Sequence, residues 1–264
     1  MKNKHLFFLL FFLFGITISQ QNIWYGFSVT NSDNLDAINI NPAGLGVNRG
    51  SQYAINIQQT ANQSDLENNS NIYTLSFTQR FRFGLAFQHE YDEINKYKGT
   101  IGYGTKIFNN FFIGASFKNK DYTTGFLYRP INAISTGLVY YSNKDDELRH
   151  VKYGISFKPF NFFNKQKFKK NNFINYSNLT LGYDKLTSYD DYFKSEYFNE
   201  YYFLSFDIVP GMNIGFQKYP ESYAINLSVN FGNGGFHITT YPSNPFYHTV
   251  EIDTSGNILQ IPSQ

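Results

Sequence analysis

The chain is dominated by segments in which large apolar side chains alternate with glycine or polar side chains. In one of them, Phe83, Leu85 and Phe87 fall on one face of the segment, and Gly84 and Gln88 fall on the other. A period of two is characteristic of a β-strand whose two faces meet different surroundings. Because segments that begin near residues 101, 111, 151 and 223 repeat this pattern, the sequence predicts an all-β fold.

Alternation of this kind fits two architectures. A secreted β-sandwich buries its apolar faces between two sheets, whereas an outer-membrane barrel turns them towards lipid and lines its lumen with polar groups. Segment length favours the barrel, since roughly 9–11 residues cross a bilayer at a tilt. Aromatic residues also cluster at segment ends, in the pairs Tyr140-Tyr141 and Tyr201-Tyr202 and at Tyr241, as in the interfacial girdles of such barrels.

The connections between the segments alternate in length along the chain. Short turns are predicted at residues 108–110 and 210–211, and longer or charged connections at 60–70 and 187–200. Short periplasmic turns and longer outer loops are typical of outer-membrane barrels. The lysine-rich connection at 159–173 is an exception, because it falls on the side of the short turns. We therefore predict an antiparallel transmembrane β-barrel of about 14 strands, with about 12 as the lower count.

The first residues follow the three-part plan of a secretory signal peptide. Lys2 and Lys4 precede an apolar run from Leu6 to Ile18, which is shorter than the roughly 20 residues of a spanning helix. Cleavage is expected near Gln20. The predicted organisation is a signal peptide (1–19), an N-terminal hatch or plug segment (20–50), the outer-membrane β-barrel (51–253) and a C-terminal tail (254–264).

Removal of that signal would leave a chain of zero formal charge. It takes away two lysines and no acids, so 22 basic residues become 20 against 20 acidic ones. The charge balance therefore gives no basic surface for nucleic acid. The sequence has no cysteine, which excludes disulfides and thiol catalysis. We expect the protein in the cell outer membrane, with membrane lipid as a partner.

No motif of catalysis or metal binding is present in the sequence. The four histidines beyond the signal lie in separate segments and form no HExxH pattern. Nucleophile motifs of the GxSxG or SxxK type do not occur. Acidic clusters at 145–147 and 190–191 fit solvated loops, with weak calcium binding as the alternative. We predict a protein that is not an enzyme and carries no cofactor or metal.

Charged and amide side chains fall repeatedly on the polar face of the predicted strands. A lysine or arginine that faced lipid at the bilayer midplane would cost about 2–4 kcal/mol, so these side chains are expected to face the lumen. There they would pair with one another and rigidify the barrel, or line a route for a ligand. The lumen-facing candidates are Arg82, Gln88, Lys106, Lys118, Lys152, Lys158, Asp184, Asp207 and Gln217.

One stretch rich in proline and glycine, NINPAGLGVNRG, precedes the first predicted strand. Pro42 fixes its own φ and has no amide donor, while Gly44 and Gly46 permit close backbone packing. The stretch therefore ends strand pairing and suits a confined space. It lacks the lysine and the following helix of a phosphate-binding loop. We predict a hatch inside the barrel, away from lipid, formed by Asn41, Pro42, Ala43, Gly44, Leu45 and Gly46.

The residues from Asn41 to Leu45 resemble the N-terminal NPAGL signature of the FadL-like outer-membrane barrels, a superfamily that includes the PorV-like proteins of type IX secretion. The resemblance covers the motif directly and the rest of the chain only by its hairpin rhythm. It implies a barrel of about 14 strands around an N-terminal hatch, and a hydrophobic cargo. A similar NPAGLG segment occurs in the barrel found ahead of some signal-peptide-peptidase-like proteins of Bacteroidetes-type bacteria.

The sequence leaves several functions open. The first is passive passage of hydrophobic small molecules, of the fatty-acid or hydrocarbon class, under control of the hatch. The second is an accessory or docking barrel that binds the proteins of a secretion system of the type IX kind. A related possibility is the barrel part of a split protease-linked protein. The last is a secreted β-sandwich adhesin.

Overall fold

The chain forms antiparallel β-strands that close into one barrel. This architecture is seen in a computed structural model of the protein. The predicted signal peptide lies outside the residues that the structure describes. The described residues are 28–33, 36–47, 50–62, 70–80, 82–92, 96–142, 148–161, 175–190, 195–209, 212–218, 223–230, 234–240 and 247–259.

The described residues contain 14 strands. They are β1 (Gly50–Asn62), β2 (Ser70–Arg80), β3 (Phe83–Asp92), β4 (Lys96–Phe108), β5 (Phe111–Lys118), β6 (Asp121–Ile131), β7 (Ile134–Ser142), β8 (Leu148–Phe157), β9 (Asn175–Asp190), β10 (Ser195–Val209), β11 (Met212–Lys218), β12 (Tyr223–Asn230), β13 (Gly234–Thr240) and β14 (Tyr247–Leu259). Each strand pairs with its neighbours in the sequence, and β14 returns to pair with β1. The predicted antiparallel β-barrel is thus confirmed. The β-sandwich alternative is wrong, because the strands belong to one sheet.

Among the described residues, two short helical elements precede β1. They are the one-turn α-helix α1 (Ala37–Ile40) and the 3₁₀ helix Pro42–Gly46. A further 3₁₀ turn, Pro159–Asn161, follows β8. The described part of the chain contains no helix with the length and hydropathy of a membrane span.

The outer face of the barrel is apolar, and its inner face carries small and polar side chains. On β3, the exposed side chains of Phe83, Leu85 and Phe87 alternate with the buried Ala86 and Gln88. The exposed Ile101 and Tyr103 of β4 likewise alternate with buried glycines. Buried polar residues of the strands include Ser76, Thr78, Thr100, Ser116, Ser135, Ser156, Thr180 and Asn226. Such an extended exposed apolar face requires an apolar environment.

The two ends of the barrel differ in their connections. The end that carries the β4–β5 turn at 109–110 and the start of β1 is called the turn end, and the opposite end, with the β5–β6 turn at 119–120, the loop end. Asn110 and Asn119 close these two turns with positive φ values of 65° and 56°. Asparagine enters this left-handed region more readily than most residues.

Several strand boundaries differ from the sequence prediction. Strand β1 runs to Asn62, into the connection predicted at 60–70. Strand β9 extends to Asp190 and β10 begins at Ser195, so most of the charged connection predicted at 187–200 is strand. The two strands pair without interruption from Ser195 to Ser205. This pairing gives the backbone groups hydrogen-bonding partners, so the charged side chains do not prevent strand formation. Strand β14 runs to Leu259, beyond the predicted barrel boundary at residue 253, because the first residues of β1 pair with it.

The paired tyrosines do not both belong to an outer girdle. Tyr202 is 53% exposed on the outer face, but Nζ of Lys152 lies 5.3 Å from the ring centroid of Tyr201, on the inner face. Tyr141 also points inward, where its hydroxyl donates to the Ile40 carbonyl at 2.8 Å. Successive side chains of a strand point to opposite faces, so the girdle prediction was wrong for one tyrosine of each pair. Residue 241 lies outside the described residues.

Candidate functional site

The described residues ahead of β1, 28–33 and 36–47, lie against the inner wall and are called the inner segment. Its centre is the NPAGL stretch. The side chains of Asn41, Ala43 and Leu45 are 0% exposed, and Pro42 and Gly44 are buried as well. Gly46 is partly buried. The stretch is therefore packed against protein on all sides.

Asn41 sets the local conformation of this stretch. It caps the 3₁₀ helix, since its Oδ1 accepts the amide hydrogen of Ala43 at 3.1 Å. Pro42 follows at the first helical position, where a missing amide hydrogen costs nothing. The Asn41 amide group also donates to the carbonyl of Val29 at 2.6 Å and to that of Phe126 on β6 at 3.1 Å. One side chain thus joins the helix cap, the start of the inner segment and the wall.

The wall beneath the stretch has a row of positions without side chains, which we call the glycine row. Each member is the direct cross-strand partner of the next. A Cβ at the β4 position would lie 2.5 Å from the Pro42 carbonyl oxygen and 2.8 Å from Cβ of Leu45. One at the β5 position would lie 2.5 Å from the amide nitrogen of Ala43. The missing side chains provide the space that the inner segment fills. The row consists of Gly84, Gly104, Gly114 and Gly125.

Two apolar clusters hold the inner segment on either side of this row. Ile38 and Leu45 pack with Ala86 of β3. Ala43 packs with Phe112 of β5 and Leu127 of β6. Full burial of a side chain of this size contributes about 1.5–3 kcal/mol. Apolar burial therefore accounts for much of the attachment of the inner segment.

Two arginines of the wall, Arg129 and Arg80, bind the inner segment at Asp33. Nη1 of Arg129 donates to Oδ2 of Asp33 at 2.7 Å, and Nη2 donates to Oδ1, which makes the pair bidentate. The same guanidinium donates to the Thr30 carbonyl at 3.0 Å and to Oγ of Ser135 at 3.2 Å. Arg80 donates to the Asp33 carbonyl at 2.6 Å. Fork-like arginine–carboxylate contacts of this kind are among the stronger hydrogen bonds in proteins.

A buried carboxylate on β9 binds the start of the inner segment. Asp184 is 1% exposed and accepts hydrogen bonds from Oγ of Ser28 at 2.6 Å and from the amide of Val29 at 3.1 Å. Nζ of Lys152 on β8 lies 3.2 Å from its Oδ2. Gly154, opposite Asp184 in the register, leaves room for the carboxylate. A buried charge requires such partners, because desolvation without them is costly.

Some of the predicted lumen-facing residues meet at the wall. Lys152 and Asp184, both candidates from the sequence, form the ion pair described above. Lys118 of β5 pairs with Glu90 of β3 at 3.0 Å. Gln88 is buried on the inner face of β3.

The remaining candidates occupy other parts of the wall. Arg82 and Lys106 are exposed near the turn end of β3 and β4. Lys158 follows β8, and its amide donates to the Ala133 carbonyl at 2.8 Å. Gln217 of β11 lies opposite Phe203 of β10. Asp207 of β10 pairs through its backbone with Asn213 of β11.

Sequence reasoning missed most of the side chains that hold the inner segment. Arg129 shares a strand face with Gly125 and Leu127, and that alternation was the signal available for it. Asp33 lies in a stretch without a periodic pattern, so nothing in the sequence indicated its partner. Within the described residues, no group of three or more His, Cys, Asp or Glu side chains could hold a metal ion.

Neither a protein-family model nor a curated protein matches the chain in sequence. Among solved structures it is similar to a FadL homologue of Pseudomonas aeruginosa, with a TM-score of 0.52 at 7% identity over 86% of this chain and 95% of that one. It is also similar to the outer membrane protein Omp33 of Acinetobacter baumannii, with a TM-score of 0.50 at 6% identity over 81% of this chain and 100% of that one. The chain therefore has the fold of these outer-membrane β-barrels.

Proposed function

We propose that the protein is an outer-membrane β-barrel for passive passage of hydrophobic small molecules, with the inner segment as its hatch. The observation that carries this proposal is a separate element, the inner segment, packed inside a barrel whose outer face is apolar. An apolar outer face suits lipid, and polar inner positions suit a lumen. The predicted signal peptide agrees with export to the outer membrane.

The mode of attachment supports movement of the inner segment. Its contacts with the wall are side-chain hydrogen bonds, the ion pair of Asp33 with Arg129, and apolar packing such as that of Ala43. The strand ladder is formed by β1 to β14 without it. Release of the inner segment would therefore break no backbone pairing of the barrel.

The class of cargo is supported by two observations. The stretch from Asn41 to Leu45 resembles the signature of FadL-like barrels, and the fold is similar to that of a FadL homologue. Release of Ala43 would also uncover the apolar side chains of Phe112 and Leu127 on the inner wall. We propose fatty acids or hydrocarbons as the cargo.

A reversible disulfide between hatch and wall tests the proposal. Ala43 and Phe112 pack in one cluster, and the chain has no cysteine of its own, so the double variant Ala43→Cys/Phe112→Cys can form only this bond within one chain. Uptake of a labelled fatty acid should fall to the level of cells without the protein after oxidation, and should recover after reduction. Each single-cysteine variant is the matched control and should respond to neither treatment.

The second candidate is a docking barrel that binds proteins of a secretion system. The contacts of Asp33 with Arg129 and of Asp184 with Ser28 favour it, because charge-assisted bonds would keep the barrel closed. Uptake equal in cells with and without the unaltered protein, together with co-purification of secretion components, would support docking and contradict passage. Equal uptake by the oxidised and reduced double variant, above that of cells without the protein, would contradict only the hatch.

A further inference from the structure

Among the strand residues whose side chains the structure describes, the outward-facing charges are gathered on four neighbouring strands. Three of these four side chains are cations, and Lys185 lies 3.7 Å from the one carboxylate among them, that of Glu200. Positive charge is therefore in excess on this part of an otherwise apolar face. The four residues are Arg149 on β8, Lys185 on β9, Glu200 on β10 and Lys218 on β11.

Lys218 ends β11 at the loop end, within a tyrosine-lined groove on the outer face. Its direct cross-strand partners are Tyr202 and Tyr223, which are 53% and 48% exposed. The next row towards the turn end contains Leu204 and Phe216. These five residues line one surface groove, which is therefore apolar along its length and cationic at one end.

The position of Lys218 matches the level of a membrane interface. A lysine on the lipid-facing side costs about 2–4 kcal/mol at the midplane and about 0–1 kcal/mol near the interface. Tyrosine is enriched at that same level. Tyr202 also packs against Tyr183 of β9, with ring centroids 5.0 Å apart. Tyrosine and lysine are thus both favoured at the same depth of a membrane.

Lys218 has no acidic partner among the described residues. Lys218 is exposed, and its aliphatic stem can lie along the groove while the charge stays in the headgroup layer. An anion supplied from outside the chain is therefore the complementary partner. The apolar row beneath requires that this anion be attached to an apolar chain.

We propose that this groove binds an anionic membrane lipid, with the Lys218 ammonium on a headgroup phosphate whose charge no headgroup cation offsets, and the first part of an acyl chain against Leu204 and Phe216. The inference rests on the proposed membrane location. Lipid is the occupant that matches both ends of the groove, since a phosphate headgroup with acyl chains carries both chemistries in one molecule.

Native mass spectrometry of the folded barrel tests this site. The detergent-solubilised protein is mixed with equal amounts of dioleoylphosphatidylglycerol, which is anionic, and dioleoylphosphatidylcholine, which is zwitterionic. Lys218→Gln should lower retention of the anionic lipid about five-fold, the usual effect of one basic residue near an anionic membrane surface, and leave the zwitterionic lipid unchanged. Phe216→Ala should lower retention of both lipids.

Lys120→Gln is the matched control, because Lys120 is exposed in the β5–β6 turn at the same end of the barrel. Anionic lipid retained equally by Lys218→Gln and the unaltered protein would overturn the site, as would an equal loss in Lys120→Gln. Failure of the unaltered protein to insert into vesicles of the two lipids would overturn the membrane location as well. Insertion without lipid discrimination would overturn the site alone.

Discussion

At the scale of single residues, the fit between Asn41 and Gly125 determines whether the inner segment can lie on the wall. The Asn41 amide is fully buried and makes hydrogen bonds to Ala43, Val29 and Phe126. A Cβ at Gly125 would overlap its Oδ1. The amide cannot turn away from such a Cβ without losing these bonds. One methyl group added at Gly125 would therefore weaken the contact between the inner segment and β6.

We expect Gly125→Ala to loosen the inner segment while the barrel stays folded. Overpacking of this kind costs about 1–3 kcal/mol, so the open population should rise by about five-fold to about a hundred-fold. The measurement is the rate of maleimide labelling of Ala43→Cys, whose thiol would be buried in the closed state and would be the only one in the chain.

The matched control for this substitution is Gly99→Ala on β4. A Cβ there meets nothing within 4 Å, so the labelling rate should not change. Equal labelling rates in Gly125→Ala and Gly99→Ala would contradict the close contact of Asn41 with β6.

The sequence pattern predicted which face of a strand a side chain occupies better than it predicted which residues that side chain contacts. The alternation of Phe83, Leu85 and Phe87 was sufficient to predict which side chains point outward, because the period of a strand is local. The glycine row was not predictable, since it depends on the register between strands. The bond between Asp33 and Arg129 joins residues 96 positions apart, and neither alternation nor spacing encodes such a distance.

At the scale of elements, the inner segment is held by side chains of the barrel wall rather than by strand pairing. Its contacts fall on β2 to β9, where Arg80, the glycine row, Arg129 and Asp184 meet it. The sequence predicted an element of this kind from the proline and glycines of 41–46. It could not predict which strands receive it, because that depends on how the barrel closes.

Deletion of residues 28–47 should raise the single-channel conductance of the protein in planar lipid bilayers. Without the inner segment, Arg129 and Asp184 lose protein partners but gain water in a wider lumen, so the strand ladder should persist. The unaltered barrel, purified in the same way, is the reference. Equal conductance of the two proteins would mean that the inner segment does not obstruct the lumen.

At the scale of the whole molecule, a closed barrel has no free strand edge. We expect the purified protein to show a heat-dependent shift in electrophoretic mobility, because the closed ladder resists detergent until heated. It should also stay with the outer-membrane fraction after a high-salt wash. Recovery in the soluble fraction without detergent would contradict the membrane location.

The overall architecture was largely predictable, because alternation, segment length and turn chemistry agree over most of the chain. The extensions of β9, β10 and β14 were not predicted. Their charged or polar sequences resemble loops, and only their paired neighbours make them strands.

The pairing of β1 with β14 has a consequence for the order of assembly. Every other strand pair joins neighbours in the sequence, whereas this seam brings Ser51 next to Leu259. Contacts between distant parts of a chain form slowly, because loop closure costs entropy before they are made. The hairpins can therefore form early and the seam last, so the inner segment can dock on β2 to β9 while the sheet is still an open, curved surface.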